Sequence, residues 1–252
     1  MFFVSANRVL SSFFSRIKIL CQPMKLLDKE NGIYLLDEDK FDFPNLAMMR
    51  DDLVAIGGDF HPQRLLHAYQ CGLFPWFIDE YNLIHWYSPN ERMVLYPEEF
   101  KISKSLKRVI KNKGFVIKSN ENFEEVIKHC ANVKRKNEDD TWIRDEFIEA
   151  YTNLFKLDYA FSIECYLEDK LVGGLYGVLI NDIFCGESMF SLEPNASKVA
   201  FYHLCQQAKE NGIKMIDCQV YNEHLESLGA REIPRVEYFK ILNESATPLT
   251  FQ

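Results

Sequence analysis

Between Phe161 and Val220 the chain reads strand, strand, strand, helix, strand, and that order admits few folds. Phe161–Leu167 alternates with the period of two that a strand requires. Leu171–Ile180 is a second, glycine-containing strand, and Asn181-Asp182 suits a tight hairpin turn into a third, Ile183–Phe190. Asn195 or Ser197 then caps a helix with Phe201, Leu204, Cys205 and Ala208 on one face, stopped by Asn211-Gly212. Ile213–Val220 returns as a strand. The first three strands form an antiparallel meander. The last two are joined through a helix, which makes a parallel β–α–β crossover.

Upstream, Ser103 caps a helix running to Lys111, and Phe123–Ala131 and Asp145–Leu157 read as two more. Before Asn90 the texture differs. Sequence from Asp28 to Asp59 is turn-rich. A helix opened by Pro62 carries Leu65, Leu66 and Tyr69 and ends at Gly72. Two aromatic clusters follow, Leu73–Phe77 and His85–Pro89. The expected division is a small N-terminal domain over 24–89 and a larger one over 90–252. Residues 1–23 hold basic but no acidic residues. They read as a targeting-like leader or, more simply, as an extension upstream of a true start at Met24.

Composition excludes several classes. With 47% hydrophobic and 26% charged residues, the chain is neither disordered nor a disulfide-dense mini-protein. Seven cysteines, an odd number without a CxxC, read as reduced thiols of a cytosolic protein, and no zinc-like spacing occurs. No apolar run is long enough for a membrane helix. The net charge of −8 argues against a nucleic-acid partner. Yet Lys101, Lys104, Lys107, Arg108, Lys111, Lys113 and Lys118 stand together without an acid. Lys104, Lys107, Arg108 and Lys111 share one helical face. Such a stripe is either a solvated face or a phosphate contact.

The strand Ile213–Val220 carries the strongest chemical signal. Alternation puts Ile216, Cys218 and Val220 on one face, and Asp217 and Gln219 on the other. An acid and an amide on a central strand are costly to bury unpaired, so that face is expected either to line a polar cavity or to lie open to water. Glu187 stands in another apolar strand beside Gly186, where it reads as a partner carboxylate for an amine or as a structural ion pair. Cys185 and Cys218 have no histidine near in sequence and read as buried thiols rather than nucleophiles.

Eight motifs in order now suggest a family: Gly72-Leu-Phe-Pro-Trp-Phe77, Trp86-Tyr-Ser-Pro89, Thr141-Trp-Ile143, Leu171-Val-Gly-Gly-Leu-Tyr-Gly177, Phe184-Cys-Gly-Glu-Ser-Met-Phe-Ser191, Asn195-Ala-Ser-Lys198, Ile216-Asp-Cys-Gln-Val220 and Ser227-Leu-Gly-Ala230. Each is weak alone. Together, over about 31–242, the set closely resembles the bacterial leucyl/phenylalanyl-tRNA–protein transferases. The resemblance implies an α/β (α+β) chain: a small N-terminal domain plus a GCN5-related acetyltransferase-like domain with a mixed, mainly antiparallel sheet flanked by helices. It implies transfer of Leu or Phe, with Met as a further donor residue, from aminoacyl-tRNA to the α-amine of proteins beginning with Arg or Lys. The product is marked for degradation through its new N-terminal residue. The implied protein is a cytoplasmic monomer without cofactor or metal, acting on Leu-tRNA, Phe-tRNA and acceptor proteins.

By the same resemblance, Asp217 and Gln219 match the catalytic pair, with Asp217 orienting the attacking amine or accepting its proton. Glu187 matches an acid near that amine. Trp76 and Trp142 match tryptophans around the terminal adenosine. Phe184, Gly186, Ser188, Met189, Leu175, Leu204 and Ile216 are candidates for the aminoacyl-adenosine pocket, and Lys104, Lys107, Arg108 and Lys111 for the tRNA backbone. Three features depart from the pattern: Cys71 where a basic residue is common, Leu204 where an aromatic is usual, and the leader. Two alternatives compete. An acetyl-CoA-dependent N-acetyltransferase needs a glycine-rich loop where Ser191–Ser197 has no glycine. A non-enzymatic RNA-binding module leaves the acids without a task.

Overall fold

The structure, a computed structural model, describes residues 25–132 and 144–244; the leader expectation for 1–23 lies outside them. Two sheets organise the chain. The first has strand order β1-β2-β3-β5-β4, built from β1 (Lys25–Asp28), β2 (Ile33–Leu36), β3 (Leu53–Gly57), β4 (Phe74–Ile78) and β5 (Ile84–Tyr87). The segment expected to be turns thus holds β2 and β3. The residues of β2 alternate between half-buried and buried, those of β3 are mostly buried, and the two strands pair in parallel, which a reading of turn residues alone overlooks. The aromatic clusters become β4 and β5. Helix α1 (Pro62–Gln70) starts at its proline as expected, and Gly72 takes the left-handed conformation just past its end.

The second sheet has order β12-β6-β11-β10-β9-β8-β7, from β6 (Glu91–Leu95), β7 (Val116–Ser119), β8 (Ala160–Leu167), β9 (Lys170–Ile180), β10 (Ile183–Ser191), β11 (Met215–Gln219) and β12 (Arg231–Pro234). Strands β8, β9 and β10 form the expected meander, turned at Asn181 with φ 55°. Helix α5 (Ala196–Glu210) then carries the chain to β11, parallel to β10. The fold class is therefore mixed α/β with a mainly antiparallel second sheet.

Helices cover both faces of that sheet. On one face, α5 and α2 (Lys104–Asn112) bury Leu106, Phe201 and Leu204 against Phe184, Leu175 and Ile216. On the other, α3 (Phe123–Asn132), α4 (Asp145–Lys156) and α7 (Arg235–Glu244) share a core with α1 and the first sheet. A short helix, α6 (Glu223–Ser227), follows β11. Ser103 caps α2 as expected, its Oγ accepting from the Leu106 N–H at 3.1 Å. Asn195 precedes α5 at φ 72°, but its side chain makes no capping bond; the Ser191 Oγ accepts from the Ser197 N–H instead.

Candidate active site

Strands β10 and β11 pair only as far as Cys185 and Asp217. Beyond that point each breaks register with its other neighbour, β10 between Gly186 and Ser188 and β11 between Asp217 and Gln219. A bulge bends its strand and re-aims side chains. A cavity of about 710 Å³ lies at this end of the pair. Its walls include Trp76, Leu175, Phe184, Gly186, Glu187, Ser188, Met189, Leu204, Ile216, Asp217 and Gln219. Trp76, 36% exposed, stands on β4 of the first sheet, so both sheets contribute. Trp142 lies outside the described residues.

Asp217 is fully buried, and its carboxylate is already occupied. Arg92 on β6 donates from Nε to Oδ1 at 2.8 Å and from Nη2 to Oδ2 at 2.6 Å. The Tyr238 hydroxyl donates to Oδ2 at 2.9 Å, and the Gln219 backbone N–H to Oδ1 at 2.9 Å. The guanidinium lies between the rings of Phe74 and Tyr238, 4.7 and 4.6 Å from their centroids, and donates to the Gly72 carbonyl. This fork geometry offsets much of the desolvation cost of a buried ion pair. The polar strand face expected beside a cavity is thus satisfied largely from within the protein. Arg92 and Tyr238 have no signal in the sequence: each is one ordinary residue, 125 and 21 positions from Asp217.

Gln219 departs from simple alternation. Its φ of 66° places a non-glycine residue in the left-handed region, at a cost of order 1 kcal/mol. The bulge turns its side chain to Glu187, where Nε2 donates to Oε1 at 2.8 Å. The Tyr69 hydroxyl from α1 donates to the same oxygen at 2.7 Å, and that of Tyr151 from α4 to Oε2 at 2.8 Å. The two hydroxyls are themselves 2.6 Å apart. Two hydroxyl protons cannot fill three short contacts; a third proton, on Glu187, would. Burial pushes the Glu187 carboxyl up to about 7, against the downward pull of the tyrosine hydrogen bonds. Burial and the adjoining carboxylate push both tyrosines well above their ordinary range. Glu187 therefore carries a proton part of the time near neutrality.

Gly186 has a different reason for being glycine than the other glycines of this region. A Cβ there would meet only the Asp217 carbonyl at 3.5 Å, an ordinary contact, and would otherwise enter the cavity. At Gly177 a Cβ would lie 2.3 Å from the Cys185 carbonyl. Burial pushes the thiols of Cys185 and Cys218 well above their usual range, which unfits them as nucleophiles at neutral pH.

The basic face of α2 is exposed at Lys104, Lys107, Arg108 and Lys111, while Lys113 pairs with Glu193 and Lys118 with Glu121. Among the described residues no cluster of His, Cys, Asp or Glu is arranged to hold a metal ion, and no helix is long and apolar enough to cross a membrane.

A mixed sheet is thus parted between two parallel strands, with a mostly apolar cavity and a carboxyl raised toward neutrality at the parting. The chain belongs to the leucyl/phenylalanyl-tRNA–protein transferases. The family model described as "Leucyl/phenylalanyl-tRNA protein transferase" matches residues 94–243, and that of the N-terminal domain matches residues 58–90. A leucyl/phenylalanyl-tRNA–protein transferase of Flavobacterium johnsoniae is 48% identical over 83% of this chain and 99% of its own length. One of Dechloromonas aromatica is 48% identical over 82% and 91%. Among solved structures, a GCN5-related N-acetyltransferase from Kribbella flavida matches 58% of this chain and 54% of its own at 10% identity and a TM-score of 0.38. That likeness is faint and lends the chain no activity.

Proposed function

We propose that the chain transfers Leu or Phe, and Met as a further donor residue, from aminoacyl-tRNA to the α-amine of proteins that begin with Arg or Lys. The amine nitrogen attacks the ester carbonyl, the ester C–O bond breaks, and the 3′ oxygen of the terminal adenosine leaves with a proton. Such aminolysis needs a neutral amine held against the carbonyl and support for the oxyanion. The reading is carried by the position of Glu187: a carboxyl that titrates near 7, on the wall of an apolar cavity large enough for a Leu or Phe side chain. Glu187 draws the cationic N-terminus and takes the proton that the attacking amine sheds. Asp217, gripped by Arg92, acts by holding the bulge that aims Gln219. Trp76 stacks near the adenosine, and the α2 stripe meets tRNA phosphates without regard to sequence.

The remaining expectations belong to this reading: a monomeric, cytoplasmic enzyme without cofactor or metal. Its N-terminal domain, 24–89, supplies Tyr69 and Trp76 to a catalytic domain over 90–252. Its products are marked for degradation. Acetyl-CoA is disfavoured by a specific observation. In acetyltransferases of this general plan the amides before the crossover helix must cradle a pyrophosphate. Here the Leu192 and Glu193 amides bond the Val172 carbonyl, that of Ala196 the Glu193 carbonyl, and that of Ser197 the Ser191 Oγ. The decisive assay offers radiolabelled Leu-tRNA and a protein with N-terminal Arg to the purified chain. Transfer of label is expected, and its absence overturns the reading.

A further inference from the structure

Where β10 and β11 part, one backbone group loses the partner that its ladder calls for. Ile180 and Ile183 flank the two-residue turn between β9 and β10, so they bond one another across the hairpin. Along β10 the backbone groups then point alternately to its two neighbours, and those of Phe184 and Gly186 face β11. The last parallel rung joins Cys185 and Asp217, which takes the Gly186 N–H to the Asp217 carbonyl. The next rung would take the Gln219 N–H to the Gly186 carbonyl.

That rung is not made. The Gln219 N–H turns back to Asp217 Oδ1 of its own strand at 2.9 Å, and the Val220 N–H to the Cys218 carbonyl at 2.9 Å. Among the described residues no other backbone N–H outside the ladders reaches the Gly186 carbonyl. Gly186 lines the cavity, half-buried, with no side chain to screen that carbonyl from a ligand. Its neighbour Glu187 lines the same cavity, and Oε2 there accepts from Tyr151 with room for a second donor. A neutral primary amine must aim its lone pair at the ester carbon while its two N–H groups find acceptors. A carbonyl and a carboxyl on consecutive residues supply both.

We propose that the Gly186 carbonyl accepts one N–H of the acceptor protein's attacking α-amine, with Glu187 at the other, so that the site requires a primary amine. The inference rests on the transfer reaction proposed above. As the C–N bond forms and the ester C–O bond breaks, Glu187 takes one amine proton, and the leaving 3′ oxygen is protonated in turn. The proton held by Gly186 stays on nitrogen. It becomes the N–H of the new peptide bond and fills the rung that Gln219 leaves open.

The test methylates nitrogen, once on each substrate. Acceptors beginning with Arg and with Nα-methyl-Arg are compared with Leu-tRNA as donor. Leu-tRNA and Nα-methyl-Leu-tRNA are compared with the Arg acceptor. The methylated acceptor is expected to lower kcat at least about tenfold, and the methylated donor less than about threefold. A second chain separates a missing hydrogen bond from a methyl clash. Ligation at Cys185 gives a semisynthetic chain whose Gly186–Glu187 amide is an ester, a weaker acceptor with every side chain in place. With the Arg acceptor its kcat should fall about three- to tenfold, the weight of one hydrogen bond. With the methylated acceptor it should fall little further, and KM for Leu-tRNA and melting should match wild type. Should the ester chain not fold, the methylation arms decide. An unaffected methylated acceptor, a larger loss with the methylated donor, or equal ester losses with both acceptors overturns the assignment and leaves the transferase reading intact. A wild-type chain inert with Leu-tRNA and the Arg acceptor overturns the reading beneath it.

Discussion

Arg92 and Asp217, 125 residues apart in sequence, meet through two short, parallel hydrogen bonds, both side chains buried. Removing either partner strands the other charge. Arg92→Leu and Asp217→Leu are each expected to lower the unfolding free energy by about 3–5 kcal/mol, and the double variant by less than the sum. Urea unfolding measures all three. Additive costs would show that the two charges do not support one another. Loss of transfer in Asp217→Ala must accordingly be read beside its stability.

The pH profile of transfer should follow Glu187. Below about 7 its carboxyl is protonated and cannot take the amine's proton, so the rate is expected to climb as pH passes 7. The acceptor's own α-amine titrates at about 8 and blurs the profile. Tyr69→Phe separates the two. It removes a hydrogen bond that lowers the Glu187 value, so the enzyme's midpoint should move up while the amine's stays. An unmoved midpoint would take Glu187 out of the proton path.

Stability should show the same group with the opposite sense. In the unfolded chain Glu187 titrates near its ordinary 4.5, and in the folded chain near 7. Below 4.5 both forms hold the proton and there is no cost. From 4.5 to 7 the unfolded chain ionises first, so stability falls. Above 7 the cost is constant, at about 3 kcal/mol. Glu187→Gln should flatten this slope in unfolding curves taken from pH 4.5 to 8; an unchanged slope would assign it to another group.

Gly186→Ala and Gly177→Ala form an informative pair. The first adds a methyl group to cavity space with ordinary protein contact, so it should fold with a nearly unchanged melting temperature and a KM for Leu-tRNA raised several-fold. The second drives a Cβ into the Cys185 carbonyl and the Phe184 ring and should fold poorly. A well-folded Gly186→Ala with normal KM would mean that nothing occupies that corner.

Among the described residues, the four aligned cations of the stripe on α2 make no ion pair, so neutralising them should leave melting unchanged. Lys104→Ala, Lys107→Ala and Arg108→Ala combined should flatten the salt dependence of tRNA binding by up to about 0.9 per lost phosphate contact. A slope equal to wild type would remove the stripe from the tRNA surface.

Much of this was legible before any coordinates. The meander and crossover follow from short strands with strong punctuation at Asn181 and Asn211-Gly212. The cap at Ser103 and the two faces of α2 follow from helical spacing. The pocket residues gather because alternation on β9, β10 and β11 places Leu175, Phe184 and Ile216 on one face. What sequence could not reveal was non-local. Nothing around Arg92 marks it as the partner of Asp217, and Tyr69 and Tyr151 reach Glu187 from two separate helices. Gln219 was assigned to the face of Asp217 by a period of two that the bulge breaks. β2 and β3 hide among turn residues because each is short, and β3 finds its partners, β2 in parallel and β5, at a distance along the chain.

The grip on Arg92 also sets an order of events during synthesis. Its contacts come from Gly72, Phe74, Asp217 and Tyr238, so they span most of the polypeptide. The sandwich around the guanidinium cannot close until α7 has left the ribosome and docked. A nascent chain therefore holds an unfinished site until Tyr238 is in place.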